Sequence, residues 1–392
     1  MFETLSYLQL QQYWWILVSI LGSLLVFLLF VQGGQVLSIL LAKNEKERTF
    51  ILNSVGTKYD LTFTTLVTFG GAFFASFPLF YSTSFGGAFW VWFAILFLFI
   101  LEGVSFKYRT KAQNFLGTKT FNIFLFLNGL LAPLLLGVAV ATFFTGSNFI
   151  VNKNNFVDLG GSSMYISSWT SPFHGLEALW NVKQLAFITN ISLGLSVLFL
   201  SIVLALLYIT HTIKSKPLVA RARKALIPYT FVFLVFFLTF VGKLLTIDGF
   251  AYDPTTMHVS MEAYKYLNNF LEMPIVLGLF LLGVIMVLIG IVAGILGKCK
   301  RPFWVSALGT ILVVFSLFVV AGFNNTSFYP SLYDLQSSLT IQNASSSIYT
   351  LTVMGYVSLL IPFVLAYIIR VWRILNRKPV SSADLNKTFE VY

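Results

Sequence analysis

Long apolar blocks, separated by shorter polar connections, run along the whole of this 392-residue chain. Each block has about 20 or more residues, enough for an α-helix to cross the hydrocarbon core of a bilayer. Backbone amides find no water there, so such blocks are predicted to be helices. The pattern predicts an all-α polytopic membrane protein, one integral membrane domain over residues 1–392. Its nine helices are expected near 13–42, 57–80, 87–107, 121–144, 184–211, 226–248, 269–297, 302–322 and 346–374.

Composition supports the membrane assignment. Hydrophobic residues make up 57% of the chain and charged residues only 10%, with a mean hydropathy of +0.85. Soluble domains carry about 25% charged residues, so this chain could not cover such an apolar core in water. The single cysteine, Cys299, excludes a disulfide framework and a cysteine-ligated metal cluster.

Basic residues set the predicted orientation. Most of the 25 Lys and Arg residues fall in the connections after predicted helices 1, 3, 5 and 7 and in the C-terminal tail. The positive-inside rule puts that side in the cytoplasm, with the N-terminus outside and residues 377–392 as a cytoplasmic tail. Topology and anionic lipid head groups account for the net charge of +11, so nucleic-acid binding is not needed to explain it.

Histidine is scarce, and this bears on cofactors. His174, His211 and His258 all fall at the ends of predicted spans or between them. A haem inside a helical bundle needs inward-facing axial ligands, usually His or Met. No Cys, His or carboxylate cluster has metal-ligand spacing. We therefore predict that this chain alone binds no haem and no metal.

Carboxylates within predicted spans are the next candidates, because burying a charge there costs about 2.5–3.5 kcal/mol. Asp60 and Glu102 lie near the cytoplasmic ends of predicted helices 2 and 3. They are either a proton relay that faces the bundle interior or interfacial carboxylates paired with a cation such as Lys58 or Lys107. Glu272, at the outer end of predicted helix 7, is interpreted as interfacial.

Buried amides and small residues mark helix contacts. Gln32 and Gln35 flank a glycine pair on predicted helix 1, where they either join helices, at about 0.6 kcal/mol per hydrogen bond, or line a hydrated path. Small residues let helix backbones approach closely. Such faces are predicted on helix 2, at Gly71 with Ala75 and at Ala72 with Ser76, and on helix 7, at Gly283, Gly290, Gly294 and Gly297.

These features alone fit a subunit of a larger assembly and a stand-alone secondary transporter equally well. A transporter predicts helices broken at the membrane midplane, with half-helix ends facing the substrate. The pairs Gly33-Gly34 and Gly70-Gly71 are candidate breaks. Few charges lie at the midplane to bind a substrate, which counts against a transporter.

Two segments resemble subunit II of cytochrome bd-type quinol oxidases. The first contains Asn53-Ser54-Val55-Gly56, Tyr59-Asp60, Leu66-Val67-Thr68 and the run GGAFFASFP at 70–78, with Tyr81 after it. The second is SLTIQNASSS at 338–347. The aromatic-Arg-x-Lys pattern of the family is similar to Tyr108-Arg109-Thr110-Lys111. Length, helix count and topology also agree, so the resemblance covers the whole chain.

The resemblance implies a haem-free subunit II in the bacterial cytoplasmic (inner) membrane. Its heterodimer partner, subunit I, would hold haems b and d and the quinol site. Together they would oxidise quinol on the outer side and reduce oxygen to water with cytoplasmic protons, which builds a proton-motive force without pumping. Subunit II would stabilise the partner and help proton uptake. Small single-helix accessory subunits, membrane lipids and a structural quinone or lipid are compatible partners.

The chain departs from the family pattern around the predicted proton path. Asp60 follows Tyr59 rather than Trp, and it precedes Leu61-Thr62 rather than Gly-Asn. The family's acidic G-x-D-x-G motif near the end of helix 1 is replaced by residues 31–35, and the often basic position on helix 3 is Glu102. The acid of the family is absent from helix 1, and an acid replaces its base on helix 3. This suggests that the two positions have changed together, as one exchanged pair. The candidate proton path is therefore Asp60, Glu102, Gln32 and Gln35.

Overall fold

The computed structural model describes residues 2–111, 114–152, 166–180, 186–297 and 301–375. Cys299 and the predicted tail 377–392 lie outside these ranges. The α-helices are α1 Tyr7–Leu28, α2 Phe30–Leu40, α3 Glu45–Gly56, α4 Tyr59–Ser76, α5 Pro78–Phe80, α6 Phe89–Tyr108, α7 Thr118–Thr145, α8 Ala186–Thr212, α9 Lys216–Leu244, α10 Lys265–Glu272, α11 Pro274–Leu296, α12 Pro302–Gly322, α13 Ile348–Ser358 and α14 Ile361–Leu375.

Two small hairpins and several short turns complete the described structure. The antiparallel pairs are β1 Phe149–Val151 with β2 Ser167–Trp169, and β3 Gly249–Tyr252 with β4 Val259–Glu262. A π-helical turn, Tyr81–Gly86, follows α5, and 3₁₀ turns lie at Phe2–Thr4, Leu176–Leu179 and Leu335–Ser337.

The predicted polytopic all-α fold is confirmed. Eight helices among the described residues are long and apolar enough to cross a membrane. A ninth span results if Glu45–Ser76 and Pro78–Gly86, which meet at a 118° bend, are counted as one. Gly33-Gly34 and Gly70-Gly71, the candidate breaks of a transporter, both lie inside continuous helices.

The first predicted helix, 13–42, is confirmed as one long span, but its start is wrong. The span runs from Tyr7, where Ser6 and Gln9 form a capping box, to Leu40, and only Leu29 separates α1 from α2. The following segment was predicted to be a connection, but it forms α3. Asn44 caps α3 by accepting a hydrogen bond from the Glu47 backbone at 2.9 Å. Its charged residues hid this helix from a search for apolar blocks.

Prolines move the other boundaries. The helix predicted at 226–248 starts ten residues earlier, at Lys216, with Pro217 in its first turn, where the missing amide proton costs nothing. The helix predicted at 269–297 is interrupted at Met273, before Pro274, so Glu272 ends α10. The helix predicted at 346–374 divides between α13 and α14, just before Pro362.

Glycines set the helix contacts at the centre of the bundle. The deeply buried α8 packs on α7 at Gly137, where an added Cβ would come within 2.7 Å of the Gly194 Cα. In the α11–α12 pair, a Cβ at Gly283 would lie 2.8 Å from the Gly309 carbonyl oxygen, and one at Gly290 would overlap the Ser306 hydroxyl. The predicted small face of helix 7 is thus a packing face. On helix 2, Gly71 does not lie at a close helix contact, because no atom is within 4 Å of a Cβ added there.

The segment before α13 ties both ends of the chain together. Gln11 of α1 donates to the Gln342 carbonyl at 3.2 Å and to the Ser345 hydroxyl at 2.6 Å. The Ser346 amide donates to the carbonyl of Ser76, the last residue of α4, at 2.8 Å. The two motifs quoted from the sequence, at 70–78 and 338–347, therefore meet in space.

Replacing Gly290 by Leu tests the α11–α12 contact. The side chain has no room against Ser306, and overpacking of this kind costs about 1–3 kcal/mol. We expect a lower midpoint of thermal unfolding and a lower yield from membranes. Gly278→Leu on the same helix is the control, because nothing lies within 4 Å of an added Cβ there. Equal losses in both variants would contradict the close contact.

Candidate functional site

A polar cluster lies between α2, α6 and α7, and it contains three of the four predicted proton-path residues. Gln32, Gln35, Glu102 and Asn128 all have 0% relative exposure. The Gln32 Nε2 donates to both carboxylate oxygens of Glu102 at 3.1 Å. The Gln35 Nε2 also donates to Glu102, and the Asn128 Nδ2 donates to the Gln35 Oε1 at 2.9 Å. Three helices therefore meet through one carboxyl group.

The sequence Gln32-Gly33-Gly34-Gln35 explains how α2 holds this cluster. Residues three apart on a helix share a face, so the two glutamines point together toward α6. Gly33 lies against the backbone carbonyl of Ser201 in α8, and a Cβ on Gly34 would lie 2.5 Å from Val55 in α3. The glycines allow α2 to pack closely on both neighbours while its amides reach Glu102.

On the third side, α7 approaches α2 just as closely. A Cβ on Gly129 would lie 2.6 Å from the Gln32 carbonyl oxygen. The next residue back along α7, Asn128, thereby comes within hydrogen-bond distance of Gln35. Asn128 was not predicted, because a single Asn inside a 28-residue apolar helix has no spacing signal.

Glu102 forms no ion pair within the described part of the chain. The predicted alternative, a carboxylate paired with Lys107, is therefore not what these residues form. An uncompensated buried carboxylate is costly, and amide donors offset only part of that cost. Such a group exchanges its charge for a proton more readily than an ion-paired one.

Two amide oxygens in the cluster have no donor among the described residues. Gln32 Oε1 and Asn128 Oδ1 are both buried and unpaired. Most buried acceptors in proteins are satisfied by a protein donor or by water. The cluster therefore offers sites for a proton-bearing group beside the carboxyl of Glu102.

A series of polar contacts leads from the cluster to the surface. The Ser38 hydroxyl donates to the Gln35 carbonyl at 2.7 Å, and the Arg48 Nε donates to the Ser38 carbonyl at 3.1 Å. Arg48 also pairs with Glu45, whose side chain is 68% exposed. Arg109, which is buried, lies 3.8 Å from Glu45. This series was missed because α3 was predicted to be a loop.

Asp60 stands apart from the cluster. It is exposed on the first turn of α4, yet it is close enough to Glu102 to interact with it electrostatically. The neighbouring Tyr59 hydrogen-bonds to Asp60, and its ring stacks on Phe106 with 5.1 Å between ring centroids. Tyr59 stands where the family has Trp, and its hydroxyl adds a polar group beside Asp60.

Lys58 does not pair with Asp60. Its Nζ donates to the Ser54 carbonyl at 3.2 Å and lies 5.4 Å and 5.9 Å from the ring centroids of Tyr208 and Trp372. The ammonium group is thus surrounded by aromatic faces, which attract cations. The predicted alternative of an Asp60–Lys58 ion pair is not found in the described residues.

The three histidines lie away from the cluster. His174 packs on Phe89 with 4.4 Å between ring centroids, and its Nδ1 lies 3.1 Å from the Gly87 carbonyl. His211 is in the last turn of α8, and His258 precedes β4. No group of three or more His, Cys, Asp and Glu with the geometry of a metal site occurs in the described ranges.

Comparison with known proteins gives one consistent family. Residues 10–375 match the family model described as cytochrome bd terminal oxidase subunit II. The chain is 27% identical over 378 residues to the cytochrome bd-I ubiquinol oxidase subunit 2 of Escherichia coli K12, covering 93% of each chain. It is 26% identical over 391 residues to the probable cytochrome oxidase subunit 2 of Haemophilus influenzae, covering 95% of this chain and 96% of that one.

A solved structure has the same fold. The chain matches a chain of the bd oxidase from Geobacillus thermodenitrificans with a TM-score of 0.60 at 12% identity, over 93% of this chain and 98% of that one. At this identity the likeness concerns the fold.

Substitutions at Glu102 test whether the cluster holds the bundle together. Glu102→Leu leaves the Nε2 groups of Gln32 and Gln35 without an acceptor, and each buried unsatisfied group costs about 1–3 kcal/mol. Glu102→Gln keeps the size of the side chain and one oxygen that accepts from these Nε2 groups. We expect a clearly lower midpoint of thermal unfolding for the Leu variant and a near-unchanged one for the Gln variant. Equal midpoints would argue against a structural role of these hydrogen bonds.

Proposed function

Because this chain belongs to the cytochrome bd terminal oxidase subunit II family, we propose that it is the haem-free subunit of a quinol:oxygen oxidoreductase. It is a multi-pass protein of the bacterial inner membrane and takes part in respiratory electron transport. In this proposal it stabilises a haem-bearing subunit I and supplies part of the path by which cytoplasmic protons reach the site of oxygen reduction.

The positions of the histidines support the haem-free role. An axial ligand must point into the bundle. His174 and His258 lie in connecting segments, and His211 is exposed at the end of α8. The polar cluster between α2, α6 and α7 instead contains amides and one carboxyl, groups suited to protons rather than to haem iron.

The outer face of α6 supports a heterodimer. Large apolar side chains follow one side of this helix, and about half or more of each is exposed: Trp90, Phe93, Phe97 and Ile100. Asp60 is exposed on α4, which neighbours α6. Such an exposed apolar face fits a protein partner that covers it with apolar side chains of its own. The same surface can also carry small single-helix subunits or lipid.

The buried carboxyl of Glu102 is the single observation that carries the proton role. It is fully buried and bound by amides only, and two unpaired amide oxygens lie in its cluster. A structural carboxylate in hydrocarbon is expected to have a cationic partner. A group that takes up and releases a proton works best without a cationic partner.

One route connects Glu102 with the chain surface, through Tyr59 to the exposed Asp60. The contacts of Ser38 and Arg48 with the backbone carbonyls of α2 instead fix α3 against α2, because a carbonyl oxygen only accepts hydrogen bonds. We place the uptake of cytoplasmic protons at this end of the bundle, in line with the orientation that the basic connections predict. Asp60 then forms the cytoplasmic mouth of the path.

The exchanged pair inferred from the sequence has a geometric rationale. Helix 1 reaches the cluster through Gln32 and Gln35, and α6 supplies Glu102 to the same cluster. An acid on either helix would occupy the same space between them. We propose that this chain keeps one protonatable carboxyl in the path and has moved it from helix 1 to α6.

An apolar cavity between α1, α4, α7, α8 and α12 is the candidate place for a structural quinone or lipid. Its lining is almost wholly hydrocarbon and includes Leu29, Phe69, Phe143, Val197 and Phe318. Its volume of about 60 Å³ has room for no more than the end of an isoprenoid or acyl chain, and without polar groups it does not fit a quinone head group. The haems and the quinol that is oxidised are assigned to the partner subunit.

The composition of the native complex tests the assignment. We expect the tagged chain, extracted gently from its native membranes, to retain a second membrane subunit, haem absorption bands and quinol-dependent oxygen consumption. Expression of this chain without the partner should give a colourless protein. A colourless, solitary chain from membranes with an active oxidase would refute the oxidase role.

Isosteric replacement of the carboxyls tests the proton path. Glu102→Gln and Asp60→Asn keep size and hydrogen bonding but cannot carry a proton, and a positioned proton-transfer group contributes about 10²–10⁴-fold to a rate. We expect both variants to assemble with full haem content and to reduce quinol oxidase turnover about tenfold or more. Asp248→Asn, which removes an exposed carboxyl after α9, is the control.

Each alternative outcome has a distinct meaning. Unchanged turnover in an assembled Glu102→Gln or Asp60→Asn complex excludes a proton role for that residue. Loss of the haems together with activity identifies the residue as structural. Equal slowing in Asp248→Asn would indicate a non-specific effect of surface charge.

A further inference from the structure

A polar pocket lies where the ends of α8 and α11 meet the beginnings of α9 and α12. Its volume is about 230 Å³, and its lining includes Thr210, His211, Arg223, Gly294 and Pro302. It opens between two of the basic connections of the sequence. Neither the Glu102 cluster nor the proposed proton path uses any of its residues.

Arg223 is held in this pocket by the end of α11. Gly297 ends that helix in the left-handed conformation, with φ of +67°. A Cβ on Gly297 would lie 2.6 Å from the Arg223 Nη1 and 2.7 Å from its Cζ. Glycine therefore both permits the positive φ and leaves room for the guanidinium group.

The charge of Arg223 is not neutralised within the described part of the chain. Arg221, two residues earlier on α9, pairs with Glu47 at 2.5 Å. Arg223 has no carboxylate within ion-pair distance in the described ranges. His211 is the second side chain of the pocket that can carry positive charge, and none of the lining residues is acidic. The pocket is thus suited to an anion.

The surface beside the pocket indicates which anion. Going into the membrane from Arg223, α9 exposes Ile227 and Phe231, which are 59% and 69% exposed. The neighbouring α11 exposes Leu296, Val292 and Ile289 along the same depth, and the two helices pack together. A basic pocket at the end of an apolar surface matches a phosphate head with acyl chains, and basic pockets between transmembrane helices bind anionic lipid head groups.

We propose that this pocket binds the phosphate of an anionic phospholipid, with Arg223 as its main ligand and His211 beside it. The acyl chains lie along the exposed apolar side chains of α9 and α11. The lipid thereby adds a contact at the point where the ends of α8, α9, α11 and α12 come together. This site is independent of the proposed oxidase function, so its test does not depend on turnover.

Native mass spectrometry of the complex, delipidated in mild detergent and titrated with phosphatidylglycerol, tests the proposal. Arg223→Gln removes the ligand, and Lys224→Gln removes the same charge from the next residue, which does not line the pocket. We expect phosphatidylglycerol to bind about fivefold more weakly to Arg223→Gln, with little change in Lys224→Gln. Gly297→Ala keeps the net charge but displaces the guanidinium, so it should weaken binding as well.

Three results would overturn the proposal. Equal weakening in the Arg223 and Lys224 variants would mean general attraction to positive charge. Equal binding of phosphatidylglycerol and phosphatidylethanolamine to the unmodified complex would remove the anionic preference. Displacement of the bound lipid by inorganic phosphate at comparable concentration would assign the pocket to a soluble phosphate compound instead.

Discussion

The close approach of α2 to its neighbours is the constraint on which the rest of the structure depends. Glycines at 33 and 34 let α8 and α3 touch its backbone, and Gly129 brings α7 against it from a third side. Only because these backbones are so close do two glutamines reach one carboxyl on α6, and an asparagine of α7 reach one of these glutamines. In this bundle, the close packing of small residues is therefore what lets buried polar groups reach one another.

That arrangement relates the fold to the proposed chemistry. Small residues release no hydrophobic free energy inside a membrane, where lipid is as apolar as leucine, so association there relies on tight packing and interhelical hydrogen bonds. The Glu102 cluster supplies both. If a protonatable group sits at such a point, each change in its charge acts on the contacts between three helices. The amide donors limit this effect. The Nε2 groups of Gln32 and Gln35 bind the carboxylate form of Glu102, and the unpaired oxygens of Gln32 and Asn128 stay available as acceptors for its protonated form.

Much of this could be predicted from the sequence, and the failures have physical causes. Apolar block length predicted the spans, and the two amides and Glu102 were recognised as candidates and do meet. Asn128 was not singled out, since one polar residue in a long apolar helix carries no period. The polar α3 was missed because its helix is stabilised by its Asn44 cap and by packing. Asp60 was predicted beside the cluster, but a single position on α4 does not say which way the side chain faces.

The contact between the first and last helices has a consequence for biosynthesis. Gln11, Tyr13 and Trp14 of α1 hydrogen-bond to residues that lie more than 330 positions later in the chain. Ribosomes add about 5–20 residues per second, so α1 waits tens of seconds in the bilayer before these partners exist. During that time its polar side chains need other hydrogen-bond partners, such as water at the interface, lipid head groups or an insertion factor. The contacts of α1 with α13 and the segment before it therefore form only when the final helices enter the membrane.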